Sequence, residues 1–109
     1  MKQILNYFES LKADESWTYS ELTPKYTTYL THSYHRYPPK FIPQLVSRII
    51  EENSKKHELV CDPFVGCGTT LLEGLLIQRH TLGLDINLIA YLISKTKTTP
   101  IQPEKLQKT

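Results

Sequence analysis

Asp62-Pro63-Phe64-Val65-Gly66-Cys67-Gly68-Thr69-Thr70 decides how the rest of this chain is read. Just before it, Leu59-Val60-Cys61 is a short apolar run with β-branched character, halted by Asp62-Pro63, which predicts a buried strand. Just after it, Leu71, Leu72, Leu75 and Leu76 recur at helical spacing, which predicts a helix over 69–78. Gly66 and Gly68, set between strand and helix, permit positive φ and let a ligand approach the backbone closely. The N–H groups at the helix start, around Thr69 and Thr70, favour an anionic group such as a carboxylate or phosphate. Asp62, at the strand end, can meet a cationic group beside it.

Outward from this loop the pattern continues in both directions. Thr81 to Ile86 reads as a second strand with Gly83 inside it, and Asp85 at its end stands 23 residues after Asp62. An acid in that place typically hydrogen-bonds ribose hydroxyls. Asn87 caps a further helix to about Lys97, closed by Pro100 and Pro103. Upstream, Ile42, Leu45, Val46, Ile49 and Ile50 follow helical spacing, with Pro43 in the first turn and the polar run from Glu51 to Lys56 ending it. The order helix, strand, helix, strand, helix is α/β, the start of a doubly wound parallel sheet with only two strands.

Residues 1–40 read as a separate part: a short amphipathic helix over 2–12, carried by Ile4, Leu5, Phe8 and Leu11, and then a loop-rich arm containing Pro24, Pro38 and Pro39. Six of the seven tyrosines fall within the first 37 residues, where packing against the helices is preferred to stacking on bases. Residues 41–109 form the partial α/β domain. A chain of 109 residues should bury about 65% of its unfolded surface, enough for one core. A net charge of +2 is too weak to argue nucleic-acid binding from the field alone. No apolar run approaches the length of about 20 residues that spans a bilayer, so no membrane is implied and the cytoplasm is the expected compartment.

Other chemistry fits poorly. Leu71 stands where a dinucleotide-binding fingerprint needs its third glycine, and no lysine follows Gly68 as a phosphate-binding P-loop requires. His32, His35, Cys61 and Cys67 have no metal-ligand spacing, so no metal is expected. One acid for an ammonium, helix N–H groups for a carboxylate and a second acid for a ribose together fit S-adenosyl-L-methionine.

The same residues resemble a known family. Asp-Pro-Phe-x-Gly-x-Gly-Thr-Thr resembles the cofactor motif of the DNA amino-methyltransferases, which methylate cytosine N4 or adenine N6. Gly83-Leu84-Asp85-Ile86-Asn87 with Ala90 resembles their second motif, with Leu88 in place of the usual proline. His35-Arg36-Tyr37-Pro38-Pro39-Lys40-Phe41-Ile42-Pro43 resembles the motif preceding the first strand, whose loop and helix close over the methionine end of the cofactor. The resemblance covers roughly residues 32 to 99. It implies an incomplete Rossmann-like methyltransferase fold comprising the first two parallel strands and flanking helices. It also implies cofactor contacts from Lys40, Phe41, Asp62, Phe64, Gly66, Gly68, Thr69, Thr70, Asp85 and Ile86.

The family's catalytic loop, (Ser/Asn/Asp)-Pro-Pro-(Tyr/Phe/Trp), has no counterpart within these 109 residues. Pro38-Pro39 lies between Tyr37 and Lys40, without acceptor or trailing aromatic, so no catalytic residue is assigned. Three expectations follow. The chain is the cofactor-binding part of a site-specific DNA methyltransferase of a restriction–modification system, with cytosine N4 preferred on overall resemblance. It acts on DNA only with a second chain or a C-terminal part carrying the catalytic loop, and is inactive alone. The alternative is a non-catalytic cofactor-binding or assembly remnant of a truncated or split methylase.

Overall fold

In the computed structural model, which describes residues 1–38 and 40–106, the helix order follows the apolar spacing closely. Helix α1 runs Lys2–Ser10, the four-residue α2 Pro24–Thr27, and α3 Pro43–Asn53 with Pro43 in its first turn. Strand β1 (Leu59–Asp62) leads through the glycine loop into α4 (Thr69–Leu76), which returns the chain to β2 (His80–Gly83). Helix α5 (Leu88–Thr98) follows, capped by the Asn87 side chain accepting from the Ile89 N–H, and then a single turn α6 (Pro103–Leu106). The strands are parallel, Leu59 opposite His80 and Asp62 opposite Gly83, as a helical crossover requires. Two parallel strands flanked by helices constitute an incomplete Rossmann-like methyltransferase fold.

Helix α4 is the centre of the core. It packs against α3, α5 and both strands. The buried apolar side chains are Leu72 of α4 itself, Val46 and Ile50 of α3, Val65 and Cys67 of the loop, and Ala90 of α5.

Four expectations are corrected. The first strand is not buried: Leu59 is 66% exposed, and Leu82 of β2 is 48% exposed, because no helical layer covers that face among the described residues. Strand β2 stops at Gly83, so Asp85 lies beyond the strand; the Leu84 N–H still bonds the Asp62 carbonyl and the Leu84 carbonyl takes the Val65 N–H. Helix α4 ends at Leu76 rather than 78. Gln78 turns left-handed (φ +64°), its N–H bonding Leu75 O while the Arg79 N–H bonds Gly74 O, a Schellman cap built without glycine. Pro103 opens α6 instead of only closing α5.

The arm over 13–40 contains 3₁₀ turns at Glu15–Trp17 and Leu30–Ser33 besides α2, and several of its groups dock on the α/β unit. The Arg48 guanidinium lies 3.7 Å from the Trp17 ring centre and donates to the Ser16 carbonyl. Gln44 donates to the Tyr26 carbonyl, and Thr31 to that of Lys97. These contacts cross the division expected at residue 40. Helix α1 forms as its spacing predicts, yet Ile4, Leu5 and Phe8 all remain exposed.

Candidate functional site

The loop between β1 and α4 is held in shape by its own acid. One Asp62 oxygen accepts the Phe64 N–H (3.0 Å) and the other accepts the Thr70 hydroxyl (2.6 Å), closing the turn onto the first turn of α4. Gly66 and Gly68 both take positive φ, +49° and +78°. Asp85 reaches across from the segment just past β2: one carboxylate oxygen accepts the Gly66 N–H (2.9 Å) and the other the Asn87 N–H (2.8 Å). The N–H groups of Asn87 and then Gly66 hold its carboxyl below the ordinary carboxylate range, so it is ionised at neutral pH.

These residues border two hollows separated by Pro63 and Phe64. The larger, about 460 Å³, is lined by Lys40, Phe41, Asp62, Phe64, Gly66, Thr69 and Thr70, with Val46, Ile50 and Val60 among its apolar walls. The smaller, about 250 Å³, lies between Pro63, Phe64, Leu84, Asp85 and Ile86. Phe41, Phe64 and Ile86 are strongly exposed, apolar surfaces at the rims of these hollows. Nine of the ten residues singled out from sequence are thus brought together. Gly68 borders neither hollow. A side chain there would meet Ser94 of α5, so its close approach is to a helix, whereas a side chain at Gly66 would meet the Tyr37 ring.

Sequence reasoning passed over Glu73 and weighed His32 only as a metal ligand. Glu73 is 2% exposed and His32 1%. His32 Nε2 lies 2.8 Å from Glu73 Oε1, and the Tyr29 hydroxyl donates to the same oxygen at 2.6 Å. Burial, reinforced by Glu73, pushes the Tyr29 hydroxyl well above the ordinary tyrosine range. The signal for Glu73 was its spacing: with Thr69, Leu72 and Leu76 it falls on one helical stripe. For His32 no local signal exists. Among the described residues no cluster of three or more His, Cys, Asp or Glu is placed to hold a metal ion, and no helix is long and apolar enough to cross a membrane.

Lys97 of α5 is also buried, its Nζ without a hydrogen-bond partner among the described residues. Burial pulls its pKa below the ordinary 10.5; Cys67 opposes that shift and Lys40 adds to it. Lys97→Met should therefore stabilise the fold at neutral pH, by roughly 1–3 kcal/mol. The unfolded chain binds this proton more tightly than the folded one, so the wild type gains stability as pH climbs towards 10.5. Thermal melts at neutral and alkaline pH should show the variant's advantage shrinking, and a constant advantage would count against the buried charge.

A strand–glycine loop–helix–strand unit, with one acid ending the first strand and another two residues past the second, is a Rossmann-like arrangement. The sequence pattern of the DNA methylase family matches residues 4–96, and the chain belongs to that family, the DNA amino-methyltransferases. The Type II methyltransferase M.MvaI of Kocuria varians is 47% identical over 85 residues, covering 75% of this chain and 19% of that protein. The Type II methyltransferase M.MjaII of Methanocaldococcus jannaschii is 33% identical over 97 residues, 89% of this chain and 18% of that protein. M2.MboI of Moraxella bovis, also a Type II methyltransferase, is 39% identical over 59 residues, covering 54% of this chain and 22% of that protein. The chain thus spans about a fifth of the length of these curated relatives. No solved structure matches it.

Proposed function

We propose that this chain supplies the S-adenosyl-L-methionine-binding part of a site-specific DNA amino-methyltransferase of a restriction–modification system. The observation that carries the reading is the convergence of two carboxylates on one glycine loop: Asp62, at the end of β1, closes it from within and Asp85, two residues past β2, grips the Gly66 N–H. The residues fit the cofactor's chemistry. Asp85, Ile86 and Phe64 border a hollow suited to a nucleoside, with Asp85's remaining lone pairs for ribose hydroxyls. Asp62, Lys40 and the first turn of α4 border the larger hollow and can meet an ammonium and a carboxylate. When bound, the cofactor supplies an electrophilic methyl group. What this chain contributes is binding and orientation, with Phe41 and Phe64 as apolar walls that exclude water.

DNA is the proposed substrate of the complete enzyme, with cytosine N4 favoured over adenine N6 on resemblance alone. Acceptor activation falls to a catalytic loop outside these 109 residues, on a second chain or a C-terminal part, and the cytoplasm is the proposed compartment. Calorimetric titration with S-adenosylhomocysteine tests the cofactor site. The wild type should bind, and Asp85→Ala should weaken binding about tenfold or more through lost charge-assisted hydrogen bonds. Failure of the wild type to bind would overturn the reading; unchanged affinity in the variant would remove Asp85 from the site.

A further inference from the structure

We infer that the buried His32–Glu73 pair is a positioning device that registers the arm against the glycine loop, an inference that rests on the cofactor reading above. Two directional bonds converge on one Glu73 oxygen, from His32 Nε2 at 2.8 Å and the Tyr29 hydroxyl at 2.6 Å. Apolar contacts could hold the arm on α4 equally firmly but would tolerate sliding; a buried polar pair can contribute register rather than net stability. Glu73 stands one helical turn beyond Thr69 and Thr70, which line the larger hollow. The tether and one wall of the hollow are therefore parts of the same rigid helix.

His32 passes this constraint onward through its backbone. Its carbonyl accepts the Lys40 ammonium at 3.0 Å, and Lys40 and Phe41 border the larger hollow. Between them, the Tyr37 ring lies over Gly66, 3.2 Å from where a Cβ would stand. The arm side of the larger hollow is thus placed relative to the loop by a pair 41 residues apart in sequence. The smaller hollow beside Asp85 contains no arm residue.

That asymmetry gives a readout that a merely structural role would not move. Glu73→Ala and His32→Ala should weaken S-adenosylhomocysteine about tenfold or more, while adenosine, which lacks the amino-acid end, keeps its affinity. Glu73→Gln, retaining an acceptor oxygen, should restore part of the loss and serves as the test variant if the alanine variants do not fold. Equal weakening of both ligands in a folded variant would overturn the inference, as would unchanged S-adenosylhomocysteine affinity. Hydrogen exchange gives a ligand-free check. The His32 and Tyr34 amides, bonded to the Tyr29 and Thr31 carbonyls, should lose protection in Glu73→Ala and recover part of it in Glu73→Gln, while α3 keeps its own. Unchanged protection would also overturn it. Absence of any binding by the wild type would instead sink the cofactor reading, leaving hydrogen exchange to decide the tether.

Discussion

Gly68→Val should destabilise the folded chain by about 2–5 kcal/mol, the sum of overpacking and a left-handed backbone that β-branched residues resist. Gly68 holds φ at +78° and serves as the N-cap of α4. A Cβ there would stand 2.8 Å from the Ser94 Cβ and 2.9 Å from its Cα. Backbone on a packed helix cannot swing aside, so α5 would have to move off α4, opening the core around Ala90. Gly66→Val makes the contrast. Its φ is also positive, but the nearest obstacle is a Tyr37 ring carbon at 3.2 Å, a side chain rather than helix backbone, and the position lines the larger hollow. That variant should lose S-adenosylhomocysteine binding by more than its loss of stability explains. Urea denaturation of both variants separates the cases. A Gly68→Val midpoint equal to wild type would refute the packing role, and retained affinity in folded Gly66→Val would reduce that turn to a structural one.

Residues 1–109 alone should transfer no methyl group to DNA, whereas the chain assembled with a segment carrying the catalytic loop should do so. An exocyclic amine is a poor nucleophile because its lone pair is delocalised into the base. The base must be flipped out, its amine bonded to acceptors and its ring stacked on an aromatic. The proposed cofactor site uses both Asp62 and Asp85, and no (Ser/Asn/Asp)-Pro-Pro-aromatic segment within these 109 residues supplies that acceptor and ring. The uncovered sheet face, with Leu59 and Leu82 exposed, and Leu88, Ile89 and Leu92 on α5 should make the chain self-associate when expressed alone. The measurement is incorporation of labelled methyl from S-adenosylmethionine into duplex DNA, with and without the complementing segment. Site-specific incorporation by the chain alone would refute the division of labour. Cofactor binding without transfer in the assembled protein would favour the binding-only module.

Much of the fold was legible because it rests on local signals. Ile42, Val46 and Ile50 announced α3, and Asn87 announced the start of α5 as a side-chain cap. The end of α4 was less legible, since Gln78 adopts a left-handed conformation usually given to glycine. Burial of the first strand was misread because an apolar run records what a strand can bury, not whether a covering layer is there.

The sequence by itself determined the order of α3, β1, α4, β2 and α5 and the two positive-φ glycines, because periodicity and turn chemistry are set by neighbours along the chain. That Lys40, Phe41, Phe64 and Ile86 belong to the site was implied only by the family resemblance. Only the tertiary structure decided what each polar or glycine position faces: Asp85 the Gly66 N–H, Gly68 the Ser94 backbone, Glu73 both His32 and Tyr29. Those partners lie 19 to 44 residues apart, and which of them meet depends on how α4 crosses between the strands and how the arm folds back over it. A buried carboxylate must find a donor wherever the packing brings one, and packing is a property of the assembled layers rather than of any single stretch of chain.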